Sequence, residues 1–350
     1  MKRYVGIICI LVIMLSLAGC SKKKPTETIP PEDGGQTMAP VLFKNNLTGE
    51  SEFEDESKTK LRPVAIAVNN QNKTRCHQTG LADADIVYET YVEGGITRTL
   101  AIYKDISKLG EVGSIRSARY DFVDLACSND AVYIHAGVDY TYCQPYMKKL
   151  GLDDINLLEN RFYGYAYRND NDHVLEHTLF STGEKLGKML TDSGRRMTVD
   201  EAHSGDWQKF NETAKKLVGG DATDLTVTFS SDYIDYFKYD NAKGAYTKTG
   251  HTDGQKHESA YNDSLDFKNV VVLFTSLGGM GDGYRVNVGL EKGDGYYFSN
   301  GTYQEINWKK GSTYDSFEFT DKDGNALSYN PGNSWVCIVS QDMRSRFKFQ

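Results

Sequence analysis

The stretch "IVYETYVEGGITRTLAIYK", residues 86–104, most narrows what this chain can become. Two runs rich in β-branched and aromatic residues, separated by Glu-Gly-Gly, predict a β-hairpin with glycines at the reversal. Strict alternation puts Ile86, Tyr88, Thr90 and Val92 on one face, and Val87, Glu89, Tyr91 and Glu93 on the other. The first face reads as core. The second carries two carboxylates about 13–14 Å apart along an extended strand. Paired glycosidase carboxylates stand roughly 5–9.5 Å apart, so Glu89 and Glu93 suit that chemistry only if the strand bends at its glycines. Ion pairing with Arg98, Arg116 or Arg119 is the simpler expectation.

Around the hairpin the texture is mixed. "VAIAVNN" reads as a buried strand that ends in an Asn-Asn turn, and "AVYIHAG" as a strand that ends near His135. Ser117 is placed to cap a helix over Ala118–Ala126. "YTYCQPYMKKLG" reads as an interrupted helix, and "TLFSTGEKLGKMLTDSG" as a helix that stops at Gly194. These elements predict an α+β or α/β layered domain over residues 62–222. After Thr223 the texture changes to short strands separated by Gly, Asp and Asn, such as "DLTVTFSS", "NVVVLFTS" and "SWVCIVS". That spacing predicts a smaller, β-rich C-terminal domain over residues 223–345. A chain of 350 residues is long enough for two cores.

The ends fix the compartment. Lys2 and Arg3 precede an almost wholly apolar run from Val5 to Leu17, followed by Leu17-Ala18-Gly19-Cys20. The run is too short to span a bilayer and has the form of a signal peptide, residues 1–19. A cysteine directly after Leu-Ala-Gly is the acylation site of bacterial lipoproteins, so Cys20 is expected to carry the lipid, palmitate or a similar acyl chain. The anchor places the protein on the extracellular face of the cytoplasmic membrane. Residues 20–60 are charged, rich in proline and glycine near their start, and without apolar periodicity, and are expected to form a flexible tether. The 40 Lys and Arg against 48 Asp and Glu give a net charge of −8, and cleavage before Cys20 makes it more negative. No basic stripe stands out, which argues against a nucleic-acid partner. Beyond Cys9 and Cys20 the cysteines are Cys76, Cys127, Cys143 and Cys337, with no C-x-x-C spacing. Export permits disulfides, and buried free thiols fit equally well.

The segments "LRPVAIAVNN", "GLADADIVYETYVEGGITRTLAIYK", "VGSIRSARYDFVDLA", "AVYIHAG" and "GNSWVCIVS" resemble the YerB-like lipoproteins of Gram-positive bacteria. The resemblance begins at "NNLTG" and covers nearly all of residues 45–340. It implies a larger N-terminal domain followed by a smaller C-terminal one, both of unknown function, and it implies no mechanism. Relatives tend to carry an Arg-rich loop that leads to Pro-His-Asn. Here the segment reads "YRNDNDHVLEHTLF", which keeps Arg168 and His177 without the proline or the asparagine.

Candidate site residues cluster around "VGSIRSARY". A helix N-terminus beside Arg116 and Arg119 suits a carboxylate or phosphate, because unpaired N–H groups and planar guanidinium forks favour negative charge at one point. Structural ion pairs with nearby carboxylates compete with that reading. His135 at a strand end is the sharpest lone histidine, but no G-x-S-x-G elbow supplies it with a nucleophile. His173 and His177 share a face only if helical, and Asn/Asp runs are ordinarily turns, so no metal is assigned. No cofactor is assigned either. The ligand-binding candidates are Arg98, Arg116, Arg119, His135 and Arg168. The leading expectation is a membrane-anchored binding or interaction module for an anionic or polar envelope component, its partner a cell-wall polymer fragment or an envelope protein. The alternative is an envelope hydrolase or transferase that uses Glu89, Glu93 and His135. An enzyme should hold a carboxylate or imidazole beside a nucleophile in one cleft, and a binder should show an arginine-lined surface or groove.

Overall fold

Ile86–Tyr91 pairs antiparallel with Thr97–Tyr103, with Glu89 opposite Thr99. Gly94 and Gly95 turn the chain with φ of 74° and 70°, a left-handed conformation that costs glycine little and any β-branched residue much. The computed structural model describes residues 40–71, 78–169, 174–250 and 264–350. Cys20, Cys76, His173 and the tether up to residue 39 lie outside the described residues. From Val41 to Gln350 the chain is one compact unit.

The hairpin stands in the middle of a ten-stranded sheet. Across it run Glu318–Thr320, Thr302–Lys309, Lys292–Ser299, Asn269–Thr275, Ser334–Ser340, Ile86–Tyr91, Thr97–Tyr103, Val64–Asn69, Val132–His135 and Asp154–Asn156. The strand Ser334–Ser340 joins the two halves. It lies parallel to Asn269–Thr275 on one side and parallel to Ile86–Tyr91 on the other. All of its residues are buried, as are those of Asn269–Thr275, which is why "SWVCIVS" and "NVVVLFT" read as near-continuous apolar runs rather than alternating ones. The segments on either side of Thr223, expected to form separate domains, thus meet inside one sheet.

A five-stranded sheet of Asp266–Phe267, Ala245–Gly250, Ile234–Asp240, Asp224–Thr228 and Lys348–Phe349 packs on the face that carries Trp335. Phe267 and Phe237 meet the Trp335 ring edge-on at 5.1 and 6.1 Å, contacts that each add about 0.5–1.5 kcal/mol beyond their buried area. Glu89 lies on the same face, so both faces of the hairpin strand are core, not one as its alternation suggests.

Helix is scarcer than the sequence suggests, and the chain is strand-rich. Among the described residues the α-helices are α1, Tyr120–Cys127, α2, Cys143–Leu150, and α3, Gly183–Asp192. Helix α1 starts two residues later than expected. Arg119 is its N-cap and provides no side-chain cap, while the Ser117 hydroxyl donates to the Ala136 carbonyl at 3.0 Å. Helix α2 ends at Gly151 with φ 63°, as its sequence implies. The expected tether also ends earlier than residue 60. Phe43–Lys44 pairs with Ser51–Phe53, and Glu56–Lys60 forms a short helix capped by Asp55. Buried Leu47 and Phe53, and an Asn45 amide that donates to Asp85 at 2.7 Å, tie this segment down. Cys127, Cys143 and Cys337 are buried free thiols.

Candidate functional site

A cavity of about 450 Å³ opens beside the chain that leads into α1. Its polar lining includes Arg116, Ser117, Arg168 and Glu176, and its apolar lining includes Ile115, Leu158, Val174, Leu175 and Leu179. Segments distant in sequence make it. Arg116 and Ser117 lie between the Glu111–Gly113 strand and α1, while Arg168 and Leu179 lie on the neighbouring antiparallel pair Tyr167–Arg168 and Leu179–Thr182. Gly137 forms part of the wall with φ 88°, and a Cβ there would come within 3.1 Å of the Ser117 hydroxyl. Leu158, Val174 and Leu175 are exposed at the cavity, so its opening presents apolar surface around two cationic groups.

Of the five ligand-binding candidates, two line this cavity. The Arg116 guanidinium donates to the Glu176 carbonyl at 2.7 Å and lies 3.4 Å from the Glu176 carboxylate, which is two-thirds exposed. Arg168 donates to the Leu175 carbonyl and to the Thr178 hydroxyl. Both arginines therefore hold the 174–178 segment that walls the cleft, mainly through uncharged acceptors.

Arg119 turns away from it. Its Nε lies 2.6 Å from the Glu93 carboxylate, which is largely buried. The pair borders a narrower crevice where Arg285 meets Asp139 at 2.7 Å. Arg98 is buried behind the site and donates to the Ser117 carbonyl at 2.8 Å. Burial, then the charges of Arg119 and Arg116, push its pKa well below the ordinary arginine value, with Glu93 opposing. Burial likewise lowers that of Arg116, with Arg119 adding to the effect and Glu176 opposing it. Three guanidinium groups thus converge around the segment 116–119, with the Glu176 and Glu93 carboxylates beside two of them.

His135 is not open to a ligand. It is 1% exposed, its Nδ1 lies 2.8 Å from the Gly137 carbonyl, and its Nε2 lies 3.1 Å from the Asp154 carboxylate. It holds the cavity wall at Gly137. Glu89 is farther still from solvent. Its Oε1 accepts from Asn70 and from Thr97, both at 2.7 Å, and its Oε2 accepts from Trp335 and Lys248, both at 3.2 Å. The catalytic candidates Glu89, Glu93 and His135 therefore occupy three separate settings: a closed core, an ion pair, and a cavity wall. His177 is buried, 4.0 Å from the Glu176 carboxylate.

Sequence reasoning missed the apolar half of the cleft and the Lys248 contact to Glu89. One signal for the latter was available: in "GAYTKTG", alternation sets Lys248 on the same inward face as Tyr246.

The fold and cleft define a two-part protein whose halves share one sheet, with an arginine-lined pocket in the N-terminal half. Residues 47–196 match the N-terminal domain of the DUF3048 family, described as a protein of unknown function, and residues 225–336 match its C-terminal domain. The chain belongs to this two-domain family. It is 27% identical over 347 residues to the "Putative lipoprotein YerB" of Bacillus subtilis (strain 168), which covers 97% of this chain and 96% of that protein. The crystal structure of YerB from Bacillus subtilis superposes with a TM-score of 0.72 at 26% identity, covering 85% of this chain and 96% of that one. Among the described residues no helix is long and apolar enough to cross a membrane.

Proposed function

We propose that this chain is a lipid-anchored binding module of the cell envelope, held at the extracellular face of the cytoplasmic membrane through Cys20. Its cleft would take an anionic or polar envelope component, such as a wall-polymer fragment. The similarity to a lipoprotein over nearly the whole chain supports the anchor. The observation that carries the ligand class is that Arg116 and Arg168 face one 450 Å³ cleft, with Arg98 buried behind its Ser117 wall. Guanidinium groups in a partly dehydrated cleft gain most from an acceptor that takes two hydrogen bonds at once, a carboxylate or a phosphate. The hydrolase or transferase alternative has no comparable support, since its three residues share no cleft.

The test is thermal denaturation with muropeptides and with phosphorylated wall-polymer fragments. A ligand of the native state raises the midpoint with concentration, and one held by charge does so less as salt rises. A midpoint that none of these fragments moves, at low or high salt, would refute the ligand class.

A further inference from the structure

Between the two sheets lies a closed polar cluster that the cleft does not use. Asp235 lies on the strand Ile234–Asp240 and Lys248 on its antiparallel neighbour Ala245–Gly250, where Lys248 sits opposite Phe237. Alternation turns Asp235, Phe237 and Lys248 inward together. Lys248 Nζ is 2.6 Å from Asp235 Oδ2 and 3.2 Å from Glu89 Oε2, and all three side chains are at most 1% exposed. The Trp335 ring lies 4.2 Å from Nζ and the Phe237 ring 5.7 Å. An amine, a carboxyl group and a second carboxylate are thus held in contact inside an aromatic shell.

We propose that Lys248 and Asp235 are joined after folding by an amide bond between Nζ and Cγ, with Glu89 as the proton carrier. The reaction proceeds from the neutral pair, which transfer of one proton from Nζ to the Asp235 carboxylate across their 2.6 Å contact gives. The Nζ lone pair then adds to Cγ. Glu89 takes a proton from the nitrogen as the C–N bond forms and delivers it to the departing hydroxyl, which leaves as water. The products are one amide and one water, Glu89 returns to its starting state, and no oxidant or cofactor enters. Contact between the reacting groups supplies the proximity that makes so slow a condensation accessible. Glu89 is suited to the role because Asn70, Thr97 and Trp335 hold its carboxylate independently of Lys248. It stays in place before and after Lys248 loses its charge. The bond staples the hairpin of the second sheet, a covalent tie that needs no thiol.

Tryptic mapping of the full-length chain decides the matter. The bond blocks cleavage at Lys248, so residues 217–238 should appear joined to residues 244–256 as a branched peptide, one water lighter than the sum of its parts. Recovery of unlinked 217–238 together with 244–248 from the wild-type protein would overturn the proposal, whatever the variants do. Asp235→Ala should abolish the branched peptide. Glu89→Gln should return the two arms to their separate forms, and a branched peptide that persists in it would overturn the role of Glu89.

Discussion

Arg119 points its Nε at the Glu93 carboxylate, 2.6 Å away, rather than into the cleft its neighbour Arg116 lines. Glu93 is only 8% exposed, so this arginine chiefly serves the fold. Arg119→Ala strands that carboxylate and should lower ligand-free stability by about 1–3 kcal/mol, the cost of leaving a buried polar group unpaired. Chemical denaturation measures it. An unchanged midpoint would mean that the pair is solvated and contributes nothing.

His135 predicts an effect of a different kind. It ties the Gly137 carbonyl and the Asp154 carboxylate together, so His135→Ala should destabilise the wall of the cleft, again by roughly 1–3 kcal/mol. Hydrogen exchange should rise at residues 135–137 first. A variant of native stability with unaltered exchange there would remove the positioning role.

Asp121 gives the fold a pH dependence. Burial raises its carboxyl pKa to about 8, against the hydrogen bond it accepts from the Val288 amide at 3.1 Å. Because the folded-state pKa lies above the unfolded one, the unfolded chain gives up this proton first as pH rises. Stability from this group is therefore full below about pH 4 and is lost progressively up to about pH 8. Asp85, raised by burial to about 7, acts in the same direction. Asp121→Asn keeps an acceptor for Val288 without the charge. It should gain at least about 1 kcal/mol over wild type at pH 8, the worth of one pKa unit, and little at pH 4. Equal gains at both pH values would contradict the assignment.

Anchoring is tested at the other end of the chain. Cys20→Ala should remove the acylation site and leave the protein uncleaved or released, because acyl chains hold such a protein at the bilayer. Fractionation and acyl labelling report it, and a variant still acylated and membrane-bound would contradict the reading.

The hairpin, the strands after Thr223 and α2 with its Gly151 stop were legible because local periodicity and turn residues specify them. The core position of Glu89 was not. Lys248 and Trp335, which surround it, lie 159 and 246 residues away in sequence, and no local pattern encodes such neighbours. Alternation placed Glu89 on a face correctly but could not show that a second sheet covers that face. The cleft was half legible. Arg116 and Arg168 stood out as charged residues in quoted segments, whereas Leu158 and Leu175 look like ordinary apolar residues until the fold leaves them exposed. The ion pair of Glu93 with one of the three nearby arginines was legible, but its choice of Arg119 was not, because Glu93 stands at the start of the Gly94-Gly95 turn, whose course alternation does not specify.

The most direct test of the binding account is calorimetric titration of wild type and Arg168→Ala with the wall fragment that gives the largest thermal shift. Arg168 is exposed, so water can replace the two hydrogen bonds it donates to the Leu175 carbonyl and the Thr178 hydroxyl, and its removal should lower the ligand-free midpoint only slightly, by loosening the 174–178 wall. Affinity should fall by about 1.5–3 kcal/mol, the range for a hydrogen bond to a charged group. Unchanged affinity in a variant of native stability would contradict the claim that this cleft binds an anion.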